Sequence, residues 1–231
     1  MKRAITTSED GSKTLLLEDY NESYHSRFGA LSESRHIFAG EGLSRYLGDN
    51  PNTEELSIFE AGLGTGLNCL LTALEIEKFK SVKRVKYLAV EKYPITPEEA
   101  SMLDYPSLFG NSKLAGYIYE TIHSSNWGCN TPLSEKMELL KICSSFEQYF
   151  PAIPHESINI IYYDAFSPET QPELWQEEIF ISLFRALKPG GVLVTYSSKG
   201  IVKRVLRAVG FEVKRVAGPK GKKHILRASK A

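Results

Sequence analysis

The stretch from Leu56 to Asn68 constrains the fold more than any other part of the chain. Leu56-Ser57-Ile58-Phe59-Glu60-Ala61 is a short apolar run, Gly62-Leu63-Gly64-Thr65-Gly66 interrupts it, and Leu67 to Phe79 repeats Leu, Ala and Glu at helical spacing. A strand that passes through glycines into a helix is the opening of a β-α-β unit. The alternation continues: Val85 to Glu91 reads as a strand, and Pro97-Glu98-Glu99-Ala100 as a helix start capped by Thr96. Met137 to Ile142, Ile158 to Tyr163 and Val192 to Tyr196 read as strands, Glu173 to Leu187 and Lys199 to Val209 as helices. Two last strands, Phe211 to Val216 and His224 to Ala228, are separated only by a Gly-Pro-Lys-Gly turn, too short for a parallel return, so that pair is antiparallel. The expectation is a seven-stranded, mostly parallel α/β sheet of the Rossmann-like kind with an antiparallel last strand. Tyr105 to Glu135 shows no clear period and is expected to be irregular.

The first fifty residues follow another pattern. Ala4 to Thr7 and Lys13 to Leu17 flank Asp10-Gly11, which predicts a β-hairpin with a type I′ turn. Leu31 to Leu47 carries apolar residues at roughly helical spacing behind Ser32, the expected N-cap. Residues 1–50 are therefore expected as an N-terminal hairpin and helix, or lid, and 51–231 as the main domain.

Composition excludes several classes. With 231 residues, 42% hydrophobic and 24% charged, the chain has the make-up of a globular protein, and no window offers the ~18 apolar residues of a membrane span. Met1-Lys2-Arg3 is not followed by an apolar segment, so no secretory signal is expected. Cys69, Cys129 and Cys143 form no C-x-x-C pair, and His25, His36, His123, His155 and His224 have no ligand spacing. No disulfide framework, no metal and a cytoplasmic location are the expectations.

The net charge is zero, with 28 basic and 28 acidic residues, but it is unevenly placed. Lys199 to Ala231 holds eleven Lys and Arg against Glu212 alone, a balance of +10, and the first 198 residues carry −10. Such asymmetry points to a polyanionic partner. Lys199, Lys203, Lys220, Lys222 and Lys223 are the candidate phosphate contacts.

Three motifs carry chemistry. Gly62, Gly64 and Gly66 follow a G-x-G-x-G spacing, unlike the G-x-G-x-x-G of dinucleotide sites, and Glu60 beside them would repel a pyrophosphate. A cationic ligand such as S-adenosylmethionine suits the site better; the alternative is a structural tight turn. Glu91, at a strand end 25 positions past Gly66, can accept ribose hydroxyls. Asp164, in Tyr163-Asp164-Ala165-Phe166-Ser167-Pro168, leaves a buried strand where a carboxylate can orient an amine and take its proton, or else cap the turn that follows.

The motifs in order, Phe59 to Asn68, Glu91-Lys92-Tyr93-Pro94, Asp164 to Pro168 with Trp175, Lys188-Pro189-Gly190-Gly191, Tyr196 to Gly200 and Gly218 to Ala228, resemble the methyltransferase domain of the bacterial tRNA 5-methylaminomethyl-2-thiouridine biosynthesis protein family. Tyr24-His25-Ser26 and Gly29 to Phe38 resemble its N-terminal signature. The resemblance implies methyl transfer from S-adenosyl-L-methionine to the amine of 5-aminomethyluridine at the wobble position of tRNA. It implies Glu33, Glu60, Gly62, Gly64, Gly66, Asn68, Glu91 and Asp164 around the cofactor, with Asp164 also catalytic. Tyr24, Phe166, Pro168, Trp175, Lys199, Lys220, Lys222 and Lys223 are the expected substrate contacts. Lys141-Ile142-Cys143-Ser144 departs from the family's Gly-Asp, whose acid reads the adenine. Family members with two activities continue into a flavin-dependent oxidase half, so this chain is expected to cooperate with a separate flavin-dependent enzyme that supplies the primary amine. Two rivals stand beside this reading: a small-amine methyl- or aminopropyltransferase, and a non-catalytic RNA-binding module.

Overall fold

The computed structural model describes residues 2–231. β1 (Arg3–Thr7) and β2 (Lys13–Leu17) form the expected hairpin, and β3 (Glu22–Ser23) adds a third antiparallel strand. The connection is not type I′. Ser8 N–H donates to Ser12 O at 2.9 Å and Gly11 N–H to Ser8 O at 3.0 Å, and only Gly11 has positive φ, so this is a three-residue loop closed by a left-handed glycine.

That loop caps the next helix. α1 is the helical run 30–49, made of Ala30–Ser34, a wide π segment Arg35–Ser44 and Arg45–Asp49. Its N-cap is Gly29, not Ser32, and Gly29 has no side chain to offer. Instead Ser12 Oγ accepts the N–H groups of Ala30 and Leu31 at 3.0 and 3.2 Å, and Asp10 Oδ2 accepts the N–H and hydroxyl of Ser32 at 2.9 and 2.8 Å. Gly29 is required there: its φ is +153° and a Cβ would lie 2.3 Å from Asp10 Oδ2. A nonlocal cap thus replaces the local one.

The main sheet contains β4 (Glu55–Ala61), β5 (Arg84–Glu91), β6 (Asn130–Pro132), β7 (Met137–Cys143), β8 (Ile158–Tyr163), β9 (Leu187–Thr195), β10 (Glu212–Ala217) and β11 (His224–Ser229). Their order is β10-β11-β9-β8-β4-β5-β7-β6. β8, β4, β5, β7 and β9 are parallel to their neighbours among themselves, whereas β11 is antiparallel to both β9 and β10. The seven expected strands are all present, and the short β6, antiparallel to β7, makes an eighth at the edge. Alternation along β8 sorts Ile160 and Tyr162 into one core and Ile158, Ile161 and Tyr163 into the other. The first core lies under α1, α2 (Leu67–Ile76) and α4 (Lys113–Ser124). The second lies under α5 (Phe146–Tyr149), α6 (Glu177–Ala186) and α7 (Gly200–Val209). α3 (Pro97–Leu103) begins with the expected Thr96 capping box.

Segment 1–50 shares its core with the sheet. Ile37, Phe38, Leu43, Tyr46 and Leu47 of α1 are buried in the first cluster, and Gly42 lies so close that a Cβ would sit 2.8 Å from the ring of Tyr162. Two further expectations are corrected. Residues 105–135 are not irregular: Ser112 caps α4, and Ala115, Ile118, Tyr119 and Ile122 bury one helical stripe. The helix expected from Glu173 starts at Glu177, because Pro172–Trp175 forms a separate 3-10 turn. Among the described residues no helix is long and apolar enough to cross a membrane.

Burial alone would raise the Asp10 carboxyl, but hydrogen bonds from Ser12 and Ser32 outweigh it and hold it at about 2, below the ordinary 3.8. A depressed carboxyl stabilises the fold above its unfolded pKa and loses that contribution as pH falls through the folded one. Asp10→Ala should therefore cost about 1–2 kcal/mol in urea unfolding at pH 7. The difference between variant and parent should shrink as pH falls from about 4 towards 2.

Candidate active site

A cleft opens at the carboxyl ends of β4, β5, β8 and β9, where the chain's path through the sheet reverses between β4 and β8. Gly62, Gly64 and Gly66 all have positive φ, which lets the loop after β4 fold back under the cleft. At Gly62 a Cβ would stand 2.9 Å from the carbonyl oxygen of Asp164, so the two strand ends touch through bare backbone. Glu91, the last residue of β5, accepts the N–H of Gly64 at 2.9 Å on one oxygen and the N–H of Tyr93 at 2.8 Å on the other.

Asn68, in the first turn of α2, joins the two central strands. Its Nδ2 donates to Glu60 Oε1 at 2.9 Å and to Asp164 Oδ2 at 2.8 Å. Glu60 is 0% exposed, and Tyr87 Oη donates to its other oxygen at 2.9 Å. Glu60 thus does not reach the cleft; it anchors Asn68, and burial pushes its carboxyl well above the usual range. Asp164 does reach it. Burial, reinforced by the carboxylate of Glu33, raises Asp164 to about 7 against the opposing effects of Asn68 and Lys222.

The N-terminal segment forms the far wall. The ring of Tyr24 meets Phe166 edge-on at 5.0 Å, and Glu22 accepts the Ser167 N–H at 3.1 Å together with the Thr170 hydroxyl. Glu33 Oε2 accepts the Ser26 N–H at 2.8 Å, while its Oε1 lies 3.3 Å from Lys222 Nζ without hydrogen-bond geometry. Lys222 Nζ also sits 4.8 Å from the centroid of Tyr196, whose hydroxyl donates to Ala165 O at 2.9 Å.

Tyr24, Glu33, Gly62, Gly64, Asn68, Glu91, Asp164, Phe166 and Lys222 therefore share one cleft. Gly66 backs onto Ile122 and His123 instead. Trp175 is buried against Tyr163 and Phe180, with Nε1 donating to Phe166 O at 2.8 Å, so it stiffens the loop after β8 from behind. Pro168 and Lys220 do not line the cleft, and Lys220 pairs with Glu9 at 2.8 Å. Lys199, paired with Glu169, and Lys223 line a separate small depression beside it. Glu22, Tyr93, Phe146, Glu147 and Tyr196 also line the cleft but were not among the expected site residues. Tyr196 directly follows a strand end, a position at which it was findable; Glu22 depends on a nonlocal strand pairing and was not.

At the third strand of the expected set, Lys141 is 2% exposed, donates to Ile122 O at 2.6 Å and lies 4.8 Å from the centroid of Trp127. It ties β7 to α4, and Phe146 and Glu147 border the cleft just beyond. Burial holds His25 and His123 at about 4, so both are neutral near pH 7; His25 Nδ1 lies 2.8 Å from Thr14 Oγ1. Among the described residues no group of three or more His, Cys, Asp and Glu could hold a metal ion.

The cleft suits a cation. Glu22, Glu33, Glu91, Glu147, Asp164 and Glu173 line it against Lys92 and Lys222. Asn68 Oδ1 and Glu33 Oε1 are buried acceptors to which no protein group donates. A sulfonium bearing an ammonium fits this wall, and a pyrophosphate does not.

Asn68→Ala removes the hydrogen bond that favours the charged form of Asp164. The titration midpoint of Asp164 should rise above its present value of about 7, read by carboxyl carbon NMR, and an unmoved midpoint would show that the contact has no electrostatic effect.

Residues 113–231 match a family model described as S-adenosyl-L-methionine-dependent methyltransferase. The tRNA 5-methylaminomethyl-2-thiouridine biosynthesis bifunctional protein MnmC of Pseudomonas savastanoi pv. phaseolicola is 30% identical over 217 residues, 91% of this chain and 32% of its own. Its counterpart in Burkholderia pseudomallei is 30% identical over 231 residues, 94% of this chain and 34% of its own. The chain thus spans about a third of the length of these curated relatives. Among solved structures, MnmC2 from Aquifex aeolicus superposes with a TM-score of 0.78 at 24% identity, over 99% of this chain and 70% of that one. Spermidine synthase from Thermotoga maritima gives 0.61 at 16% identity, over 99% and 69%. Both show the same Rossmann-like α/β fold. With that family model matched over more than half of its length, the chain belongs to the S-adenosyl-L-methionine-dependent methyltransferases.

Proposed function

We propose that this methyltransferase acts on the primary amine of 5-aminomethyluridine at the wobble position of tRNA, in the cytoplasm where such tRNA is processed. The observation that carries the reading is Asp164: a carboxyl fixed by Asn68 at the floor of an anionic, aromatic-walled cleft and raised to about 7. The relatives named for tRNA 5-methylaminomethyl-2-thiouridine biosynthesis supply the substrate class.

S-adenosylmethionine supplies an electrophilic methyl carbon on a sulfonium. The residues fitted to hold it are Glu91 at the ribose hydroxyls, the Gly62 to Gly64 backbone beneath the donor, and Phe146 as the apolar surface for the base. An amine is nucleophilic only when deprotonated, and an alkylammonium keeps its proton well above neutrality. Asp164 accepts an N–H of the incoming amine, aims the lone pair and takes the proton. Glu33 adds negative potential that favours the cation on arrival. Tyr24, Phe166 and Tyr196 wall the base and exclude water, so that the fixed geometry supplies much of the acceleration. A flavin-dependent activity that releases the primary amine is the partner this reading calls for.

The cleft's excess of carboxylates favours a second reading, a free polyamine as acceptor. Methylation of tRNA should weaken steeply with salt, because phosphate contacts release counterions, whereas methylation of a small amine should not. Incubating the protein with labelled donor and tRNA carrying 5-aminomethyluridine, followed by nucleoside mass analysis, tests the proposal; methyl on another base, or on a polyamine alone, would overturn it.

The role of Asp164 has its own test. Asp164→Asn should lower kcat by ~10²-fold or more, the usual worth of a positioned base, while donor affinity measured by calorimetry stays within a few-fold. In the parent, kcat should rise with pH through about 7 as the carboxyl ionises. Stability should move the other way, because the folded state holds a proton that the unfolded chain has lost between about 4 and about 7. At pH 8 the Asn variant should accordingly unfold at no lower urea concentration than the parent.

A further inference from the structure

β1 is an edge strand of the N-terminal sheet, and its first residue, Arg3, reaches out of that sheet to the main domain. The Arg3 side chain is only 8% exposed, and its guanidinium grips the segment between β5 and the first turn of α3. Nη1 donates to Glu99 Oε2 at 3.0 Å and to Pro94 O at 3.3 Å, and Nη2 donates to Tyr93 O. On the neighbouring strand Lys13 Nζ donates to Met102 O at 2.9 Å, towards the other end of α3. Hydrogen bonds from a cation are stronger than neutral ones, and the planar fork of arginine fixes direction as well as distance.

Two of the three groups that Arg3 holds are backbone carbonyls of the loop that follows Glu91. The same loop supports Glu91 itself, whose Oε1 accepts the N–H of Tyr93 at 2.8 Å and whose Oε2 accepts the N–H of Gly64 at 2.9 Å. Tyr93 is therefore held at both ends, its N–H by Glu91 and its C=O by Arg3. It is 40% exposed, so packing does little to keep it in place. Glu99 is shared in a similar way: the oxygen that pairs with Arg3 also accepts the Thr96 N–H at 2.7 Å and so completes the capping box of α3. Loops beyond strand ends are ordinarily mobile. This one is fastened at its start and at its finish, and Arg3 bonds to both fastenings.

A second link runs through Tyr24. A Cβ built on Gly64 would lie 3.2 Å from Tyr24 Cδ1, so the ring covers the glycine whose N–H Glu91 holds. The guanidinium carbon of Arg3 is 6.0 Å from the centre of that ring. Burial and then the Glu91 carboxylate push the Tyr24 hydroxyl up to about 12 while Arg3 opposes them, which puts the three side chains in one neighbourhood. Arg3 does not line the cleft, so any effect it has there passes through these neighbours.

We propose that Arg3 is a positioning residue for the methyl donor: by fixing Tyr93 and Glu99 it holds the Glu91 carboxylate against Gly64, where the ribose hydroxyls bind. This role rests on the assignment of Glu91 to the ribose made above and is independent of the methyl acceptor. It makes the N-terminal hairpin part of the donor site and not only a cover over it.

Arg3→Lys keeps the charge and can keep the pair with Glu99, but it loses the fork that reaches Tyr93 and Pro94. In ¹⁵N–¹H spectra of the full chain this variant should shift the amides of Tyr93 and Gly64 and quicken their hydrogen exchange, although Arg3 bonds to neither N–H. Glu99→Gln, which keeps an oxygen for Thr96 and neutralises the partner of Arg3, should move the same two amides by less. A Gly64 amide unmoved in both variants would overturn the role. Affinity for S-adenosylmethionine, read by calorimetry, should fall roughly tenfold in Arg3→Lys, the worth of one charge-assisted hydrogen bond. Glu91→Gln should lose at least as much, and in the double variant the two losses should not add, because Arg3 acts through Glu91. Additive losses would make Arg3 a contact of the fold alone and overturn its role at the donor. An unchanged affinity in Arg3→Lys beside a loss in Glu91→Gln would overturn it while leaving the ribose assignment intact. An unchanged affinity in Glu91→Gln would refute that assignment and the positioning role together.

Discussion

One amide group holds the centre of this molecule together. β4 and β8 lie side by side and parallel at the point where the sheet order reverses, and each sends a carboxyl-bearing residue to the same end, Glu60 from within the first and Asp164 just past the second. Two carboxylates that close would repel in a buried setting. Asn68 resolves the conflict because a primary amide carries two N–H donors, one for each acid. It can do so only if α2 starts directly above the strand ends, and the left-handed glycines 62, 64 and 66 bring that about. Glu60, sealed at 0% exposure and held also by Tyr87, fixes Asn68 in turn. Of the two acids, Asp164 alone lines the cleft. The order of dependence runs from glycine loop to helix start to amide to the Asp164 carboxyl, and a change at any earlier step moves the last.

This chain of dependence explains what the sequence made legible. A strand followed by G-x-G-x-G, an acid closing the next strand and an acid closing β8 are local patterns, and the rule that ligands bind beyond the carboxyl ends of parallel strands brings them to one place. Gly62, Gly64, Glu91, Asp164 and Phe166 follow from that rule alone. Asn68 was expected at the cofactor and lines the cleft, but its partnership with two acids was hidden, because Asp164 is 96 positions away from it and the burial that turns Glu60 towards it involves Tyr87 on another strand. Glu60 illustrates the cost: an acid beside the glycines looks like a ligand group until its burial is known.

The remaining misses have the same physical origin. Ser32 is an orthodox N-cap by type and position, yet Asp10 and Ser12 reach α1 across 22 and 18 residues and take the orphaned N–H groups first. Once the hairpin performs that task, its Asp-Gly pair no longer forms the simple turn that the dipeptide favours. Trp175 was expected against the substrate but supports Phe166 from behind, because its indole N–H finds a backbone carbonyl within the loop. α4 is a different case. Its stripe of Ala115, Ile118, Tyr119 and Ile122 is periodic in the sequence itself, and only the polar residues and glycine interleaved with it obscured the pattern.

Charge is where sequence and structure inform each other most. A zero total is the sum of an acidic body and a basic last segment, but segment totals do not say which charges are free. Of the eleven cations after residue 198, five are spent in ion pairs, with Glu169, Glu9, Glu33, Asp49 and Glu156. Lys199, Lys220 and Lys222, three of the expected phosphate contacts, are among the five; the unpaired charge lies along α7 and β10 and at Lys223, and includes the other two expected contacts, Lys203 and Lys223. The outcome is two adjoining fields of opposite sign, an anionic cleft and a depression lined by Lys199, Lys222 and Lys223, which share the wall formed by Tyr196. A ligand that carried only positive charge would use the first, and a plain polyanion only the second. For the substrate proposed above, the amine on the base matches the first field and the backbone phosphate the second, and the reversed pose sets phosphate against Asp164 and ammonium against Lys223. Complementarity of this kind selects by penalising the wrong alignment as much as by rewarding the right one. It accounts for a pairing that neither field would explain alone: an acid raised to near neutrality beside a depression lined by lysines.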